Sequence, residues 1–216
     1  MHGPAIGLVG YISTRTPKVA YTLSMFGFFK RSTRKRKRYT ERAIADDFVR
    51  AAFDNAVESL PAVCSGLREF FTEFSLVDGA RAPRDLAAAI VALEIQALPN
   101  LFPSAQAGRL RYHVLRSLTF RYGEHVASEV RAYEEIFRGQ LRNGLNPFER
   151  VSERLLHRFT HKEVANNDGA FVVRPVSTMF LSASIAAMCG VWKMFREQFE
   201  IVEIDHQEGS TFVTSA

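Results

Sequence analysis

No aspartate or glutamate precedes Glu41, although the 216-residue chain holds 23 of them. The residues up to Tyr39 instead carry nine lysines and arginines and finish in the run Lys30-Arg31-Ser32-Thr33-Arg34-Lys35-Arg36-Lys37-Arg38. The formal net charge of +5 therefore belongs to an arm, and the remainder of the chain is mildly acidic. Cysteine is also scarce. Cys64 and Cys189 are the two present, both in apolar surroundings and neither at metal-ligand spacing from other ligands. This excludes a disulfide scaffold and reads as buried, reduced thiols in a cytosolic setting. One Trp and six Tyr stand against 18 Phe, a choice of rings without polar tips that fills cores more readily than it lines polar sites.

Motifs that carry chemistry are missing as well. Ser65 and Ser117 stand in no nucleophile elbow, and the chain has no glycine-rich phosphate loop, no zinc-type Cys/His array and no His-Glu-x-x-His. These gaps weigh against an enzyme without excluding one, and they call for no cofactor and no metal. A secretory signal does not fit, because the apolar stretch from Val19 to Phe29 comes before the basic block rather than after it. The acid-free start is also compatible with an organelle transit peptide. Met25 is a second candidate initiator, which would make residues 1–24 a start-site extension.

From Thr40 the apolar period becomes helical. Ile44, Phe48, Ala52, Ala56 and Leu60 recur every four residues, giving an amphipathic helix expected to end near Pro61. Val63, Leu67, Phe70, Phe71 and Phe74 predict a second helix, closed by the turn Val77-Asp78-Gly79. Pro83 suits a first helical turn, and Leu86 to Leu98 is nearly uncharged, so a third helix buried on most sides is expected before Pro99. Ser104 to Asn143 is helical in pattern with a break near Gly123. Asn146-Pro147-Phe148-Glu149 supplies an N-cap, a proline at the first helical position and a carboxylate three residues after the cap. Phe171 to Val173 has the character of a short strand. The final helix, about Pro175 to Phe199, has no charge between Arg174 and Lys193. Those eighteen uncharged residues approach the length of a membrane span. Ser177, Thr178, Ser182 and Ser184 favour a central buried helix instead, with Ser182, Ala186 and Gly190 forming a face that another helix can approach closely.

Three constellations deserve weighing. Glu153, His157 and His161 step by four and could share a metal, but they point away from the Phe148/Val151/Leu155/Phe159 stripe, so a solvated surface set is the better reading. Glu94 stands alone in charge between Asp85 and Arg109, and a buried carboxylate must find water or a partner such as an arginine. Arg109, His113 and Arg116 share a helical face, which is expected to be solvated or to pair with acids of neighbouring helices, with a secondary anion face as the alternative.

The expected architecture is all-α: a single compact bundle of about six helices over residues 39–200, a disordered basic arm over 1–38 and an acidic, polar tail over 201–216. Phe26, Phe28 and Phe29, followed by Lys30, Arg31, Arg34, Lys35, Arg36, Lys37 and Arg38, combine apolar rings with cations. That pattern suits an anionic membrane surface, and nucleic acid is the competing polyanion. The resulting expectation is a non-enzymatic interaction domain, cytoplasmic and peripheral to a membrane, with room for a protein partner. A nucleic-acid-associated helical protein is the alternative, and an enzyme or small-ligand binder with a pocket invisible in sequence is the third reading.

Overall fold

The computed structural model describes residues 36–70, 74–140, 146–160 and 170–203. Strand β1 (Lys37–Thr40) leads into α1 (Glu41–Phe70), followed by α2 (Ala82–Leu101), α3 (Ser104–Tyr122), α4 (Glu124–Gln140), α5 (Pro147–Thr160), α6 (Ala170–Met188) and α7 (Val191–Gln198), and β2 (Phe199–Val202) closes the order. The expected all-α bundle is what forms.

Local signals set several boundaries. Asn146 Oδ1 accepts the Phe148 amide at 3.0 Å, so the expected cap starts α5 with Pro147 at its first position. Gly123, at φ 90°, breaks α3 from α4 where a residue with a Cβ would be strained. Asp78 caps the turn before α2, its Oδ1 accepting the Ala80 and Arg81 amides at 3.1 and 3.0 Å.

Elsewhere packing overrides local signals. Pro61 does not end the first helix: α1 runs through it for 30 residues, roughly 45 Å at 1.5 Å per residue. The buried stripe Ala56, Leu60, Val63, Cys64 and Leu67 continues in phase across the proline, which itself faces solvent. Burial of that stripe offsets the lost amide hydrogen bond. Phe171 to Val173 are the first turns of α6 rather than a strand; their β propensity finds no partner, since β1 and β2 pair only with each other among the described residues.

The central helix is α2, which packs against α1, α3, α4, α5 and α7. Its run from Leu86 to Ile95 is buried without interruption, and Ala87, Ala88, Ala89 and Ala92 let several neighbours approach. The last apolar stretch was the sequence-based candidate for that place, but it is two helices and only partly enclosed. Leu181, Ile185, Met188 and Trp192 are buried, whereas Met179 is 67% exposed and Ala183, Ala186 and Ala187 face out. Residues 175–198 are long and apolar enough in composition to cross a membrane, yet Gly190, at φ 105°, turns the chain between α6 and α7. Gly190 is exposed and a Cβ there would meet nothing, so the expected close-packed face stops at Ser182, whose Oγ lies 3.0 Å from Ser152 Oγ of α5. The close approach is instead at Gly66 of α1, where an added Cβ would run into the Phe180 ring of α6. Trp192 is the largest fully buried side chain, stacked on Phe48 at 4.5 Å between ring centroids.

Candidate functional site

The base of the basic arm is built into the bundle. Lys37, Arg38, Tyr39 and Thr40 pair in parallel with Phe199, Glu200, Ile201 and Val202, so the expected boundaries at 38 and 200 both fall inside a strand. Tyr39 and Thr40 are half-buried, and Tyr39 packs on Phe199 at 4.6 Å between centroids. Arg36, Lys37 and Arg38 stay exposed. Arg36 Nη1 donates to the Arg196 carbonyl at 3.4 Å, among the orphan carbonyls that end α7. Arg38 lies 3.4 Å from Glu200, a pair exposed on both sides and worth at most about 1 kcal/mol. Phe26, Phe28, Phe29, Lys30, Arg31, Arg34 and Lys35 lie outside the described residues.

Behind the strand, the Thr40 hydroxyl accepts the Ala43 amide at 3.2 Å and starts α1. Glu41 is only 1% exposed, and Arg109 of α3 holds it in a two-pronged pair at 2.7 and 2.9 Å. Arg109 also reaches Glu203 at 3.5 Å, and Gln106 donates to the Ile201 carbonyl at 3.3 Å. The start of α3 thereby holds both the first residue of α1, which follows β1, and β2 with the residue after it.

This clamp changes the meaning of the basic face on α3. Of Arg109, His113 and Arg116, Arg109 is committed to Glu41, whose hydrogen bonds and charge, with the charge of Glu203, hold its guanidinium above the ordinary value against the opposing effect of desolvation. His113 is half-buried; desolvation lowers its basicity, and its Nδ1 has no partner among the described residues. Arg116 alone is exposed with no ion pair among those residues. Arg111, next along the helix, is a two-pronged partner of Glu134 at 2.7 Å.

Glu94 finds its partners in backbone amides rather than in an arginine. It is 2% exposed on α2 and caps α7: its Oε1 accepts the Gly190 amide and, at 3.0 Å, the Val191 amide. Burial pushes its carboxyl above the ordinary range, opposed by the amides of Val191, Gly190 and Trp192. Burial also raises the Cys189 thiol, with the Glu94 charge adding to it, and desolvation raises Cys64. Both are free thiols held in the unreactive form, Cys64 buried and Cys189 half-buried. Glu153 pairs with Arg150 at 2.8 Å and His157 is exposed, while His161 lies outside the described residues. Among the described residues no three His, Cys, Asp or Glu side chains are grouped to hold a metal ion.

A second charged assembly escaped sequence reasoning. Arg158 of α5 bridges Asp85 of α2 at 2.9 Å and Glu129 of α4 at 2.5 Å, and Arg154 reaches Glu129 at 3.1 Å. All four are at most about one-third exposed. Arg154 also lies 5.1 Å above the ring of Tyr133. Tyr133 is fully buried, its hydroxyl has no partner among the described residues, and burial holds that hydroxyl protonated. The one available signal was Asp85, a buried acid at the start of a helix with few charges. Its partners come from helices distant in sequence. Comparison with family models, curated proteins and solved structures gives no match.

Proposed function

We propose that the protein is a non-enzymatic helical interaction domain that associates with an anionic surface, most directly a membrane, through its basic arm. The observation that carries this reading is the segregation of charge. The acid-free run ends in Arg36, Lys37 and Arg38, exposed at the start of a strand that pairs with β2 and packs against α1. Cations near an anionic leaflet contribute about 1 kcal/mol each, so Lys30, Arg31, Arg34 and Lys35 together supply roughly 4 kcal/mol. Phe26, Phe28 and Phe29 add apolar rings next to that run, a combination suited to a headgroup region. Nucleic acid would draw on the same charges, but no aromatic residue is interleaved among the cations of the run, and the body is acidic overall. The cation clamp is structural support for a tether: a strand pinned at its base transmits attachment of the arm directly to the bundle. Co-sedimentation of the full chain with phosphatidylserine-containing vesicles, beside binding to duplex and single-stranded oligonucleotides at physiological salt, tests the reading. Capture by vesicles supports it, and binding to oligonucleotides alone overturns it.

A further inference from the structure

The starts of α2 and α4 line a cleft of about 590 Å³, within the range of small-molecule sites. Its walls carry carboxylates and hydrogen-bond donors together: Asp78, Arg81, Arg84 and Asp85 on one side, His125 and Glu129 on the other. The carboxylates are engaged. Asp78 Oδ1 is taken by the Ala80 and Arg81 amides, Asp85 by Arg158 at 2.9 Å, and Glu129 by Arg158 and Arg154. The donors are not. Arg84 and His125 are exposed, with no hydrogen bond or ion pair among the described residues, and Arg81 touches Asp85 only through Nε at 3.4 Å, leaving its terminal nitrogens unused. Two guanidiniums of the lining, Arg81 and Arg84, face three carboxylates, of which Asp85 and Glu129 are offset by Arg158 and Arg154 outside it, and the polar side chains left with no partner among the described residues are those of Arg84 and His125. Arg158 is 19% exposed and locks Asp85 and Glu129 in position, so the walls are set before any ligand arrives. The amides at the start of α2 are already taken, Ala82 by the Asp78 carbonyl and Arg84 and Asp85 by that of Arg81, and play no part.

We infer that this cleft binds a small phosphate monoester, its phosphoryl group held by Arg84, Arg81 and His125 and its organic part resting on Ala80, Ala88 and Val126. Donors arriving from two helices suit the three divergent terminal oxygens of a phosphoryl group better than the single plane of a carboxylate. The site is independent of the arm and of the membrane reading.

The test is an NMR titration of the full chain with glycerol 3-phosphate. It follows the His125 ring resonances, identified by their loss in His125→Gln, with glycerol and lactate as controls. Glycerol 3-phosphate is expected to shift them saturably. Arg84→Gln should weaken that binding at least tenfold without lowering the melting temperature, since Arg84 holds no partner among the described residues. Replacing Lys30, Arg31, Arg34 and Lys35 by glutamine should leave it unchanged, which separates this site from the polybasic run. The inference is overturned if sodium chloride at matched ionic strength gives the same shift, if lactate binds as well as the phosphate ester, or if binding survives Arg84→Gln or disappears with the arm charges.

Discussion

Replacing Glu94 separates two effects that its burial combines. Its carboxylate serves the amides of Gly190 and Val191, with that of Trp192 close behind, which have no partner inside α7 because they precede its first complete turn. Glu94→Ala leaves those donors unmet and opens a gap beside Cys189. At roughly 1 kcal/mol for each orphaned donor, the cost is about 2–4 kcal/mol. For a domain of this size that lowers the melting temperature by about 5–15 °C. Glu94→Gln keeps an acceptor oxygen and removes the charge. Because the folded carboxyl titrates above its ordinary value, the folded state holds more protons than the unfolded chain between those two pH values. Wild-type stability therefore falls as pH rises through that window and levels off above it. The glutamine variant should lose this slope and, at pH 8, lie within about 1 kcal/mol of wild type or above it. Urea unfolding of the three proteins at pH 4.5, 6 and 8 measures both quantities. A glutamine variant as unstable as the alanine variant at pH 8 would show that the charge itself holds α7, through the helix dipole, and would refute the reasoning.

Three further outcomes follow from packing. Removing residues 1–35 should shift the melting temperature by no more than about 1 °C, because an acid-free run of like charges contributes little to a core; extending the deletion through Glu41 removes β1 and the Arg109 partner, and calorimetry should show a clear further drop. Gly190→Ala should cost about 1–2 kcal/mol from its left-handed backbone and Gly190→Asn less, read by chemical denaturation, whereas equal costs would mean that space rather than backbone conformation is limiting. Gly66→Ala should destabilise by about 1–3 kcal/mol despite alanine's better helix propensity, and a double-mutant cycle with Phe180→Ala should recover most of that loss; strict additivity would place the conflict elsewhere.

What could be read from the chain is what depends on neighbours a few residues apart. The stripe of α1, the Asn146 cap and the break at Gly123 are all local patterns, and the bundle forms them as expected. Pro61 misleads because its local cost is outweighed by a stripe that stays in phase on both sides, a property of packing rather than of the proline. Gly66 and Gly190 are chemically identical, and only the folded chain distinguishes the one that meets Phe180 from the one that turns toward solvent. The β1–β2 pairing joins residues about 160 positions apart through four-residue strands, too short for alternation to reveal. The Glu94 cap and the Asp85–Arg158–Glu129 assembly likewise depend on partners brought together only by the fold. The same holds for the anion face: Arg109 has the right spacing, but Glu41 claims it.

The most direct measurement of the central claim is the salt dependence of vesicle binding by the full chain, before and after replacing Lys30, Arg31, Arg34 and Lys35 by glutamine. These positions precede β1, so the strand and its clamp are left intact. The account predicts capture by phosphatidylserine vesicles and a fall of about 10²–10³ in partitioning on substitution at low salt, from roughly 1 kcal/mol per charge. It also predicts residual binding that salt barely affects and that Phe26, Phe28 and Phe29 to serine removes, since ring burial is unscreened while charge attraction decays over about 8 Å at physiological ionic strength. Failure to bind vesicles even at low salt, with oligonucleotide binding abolished by the same four substitutions, would contradict it.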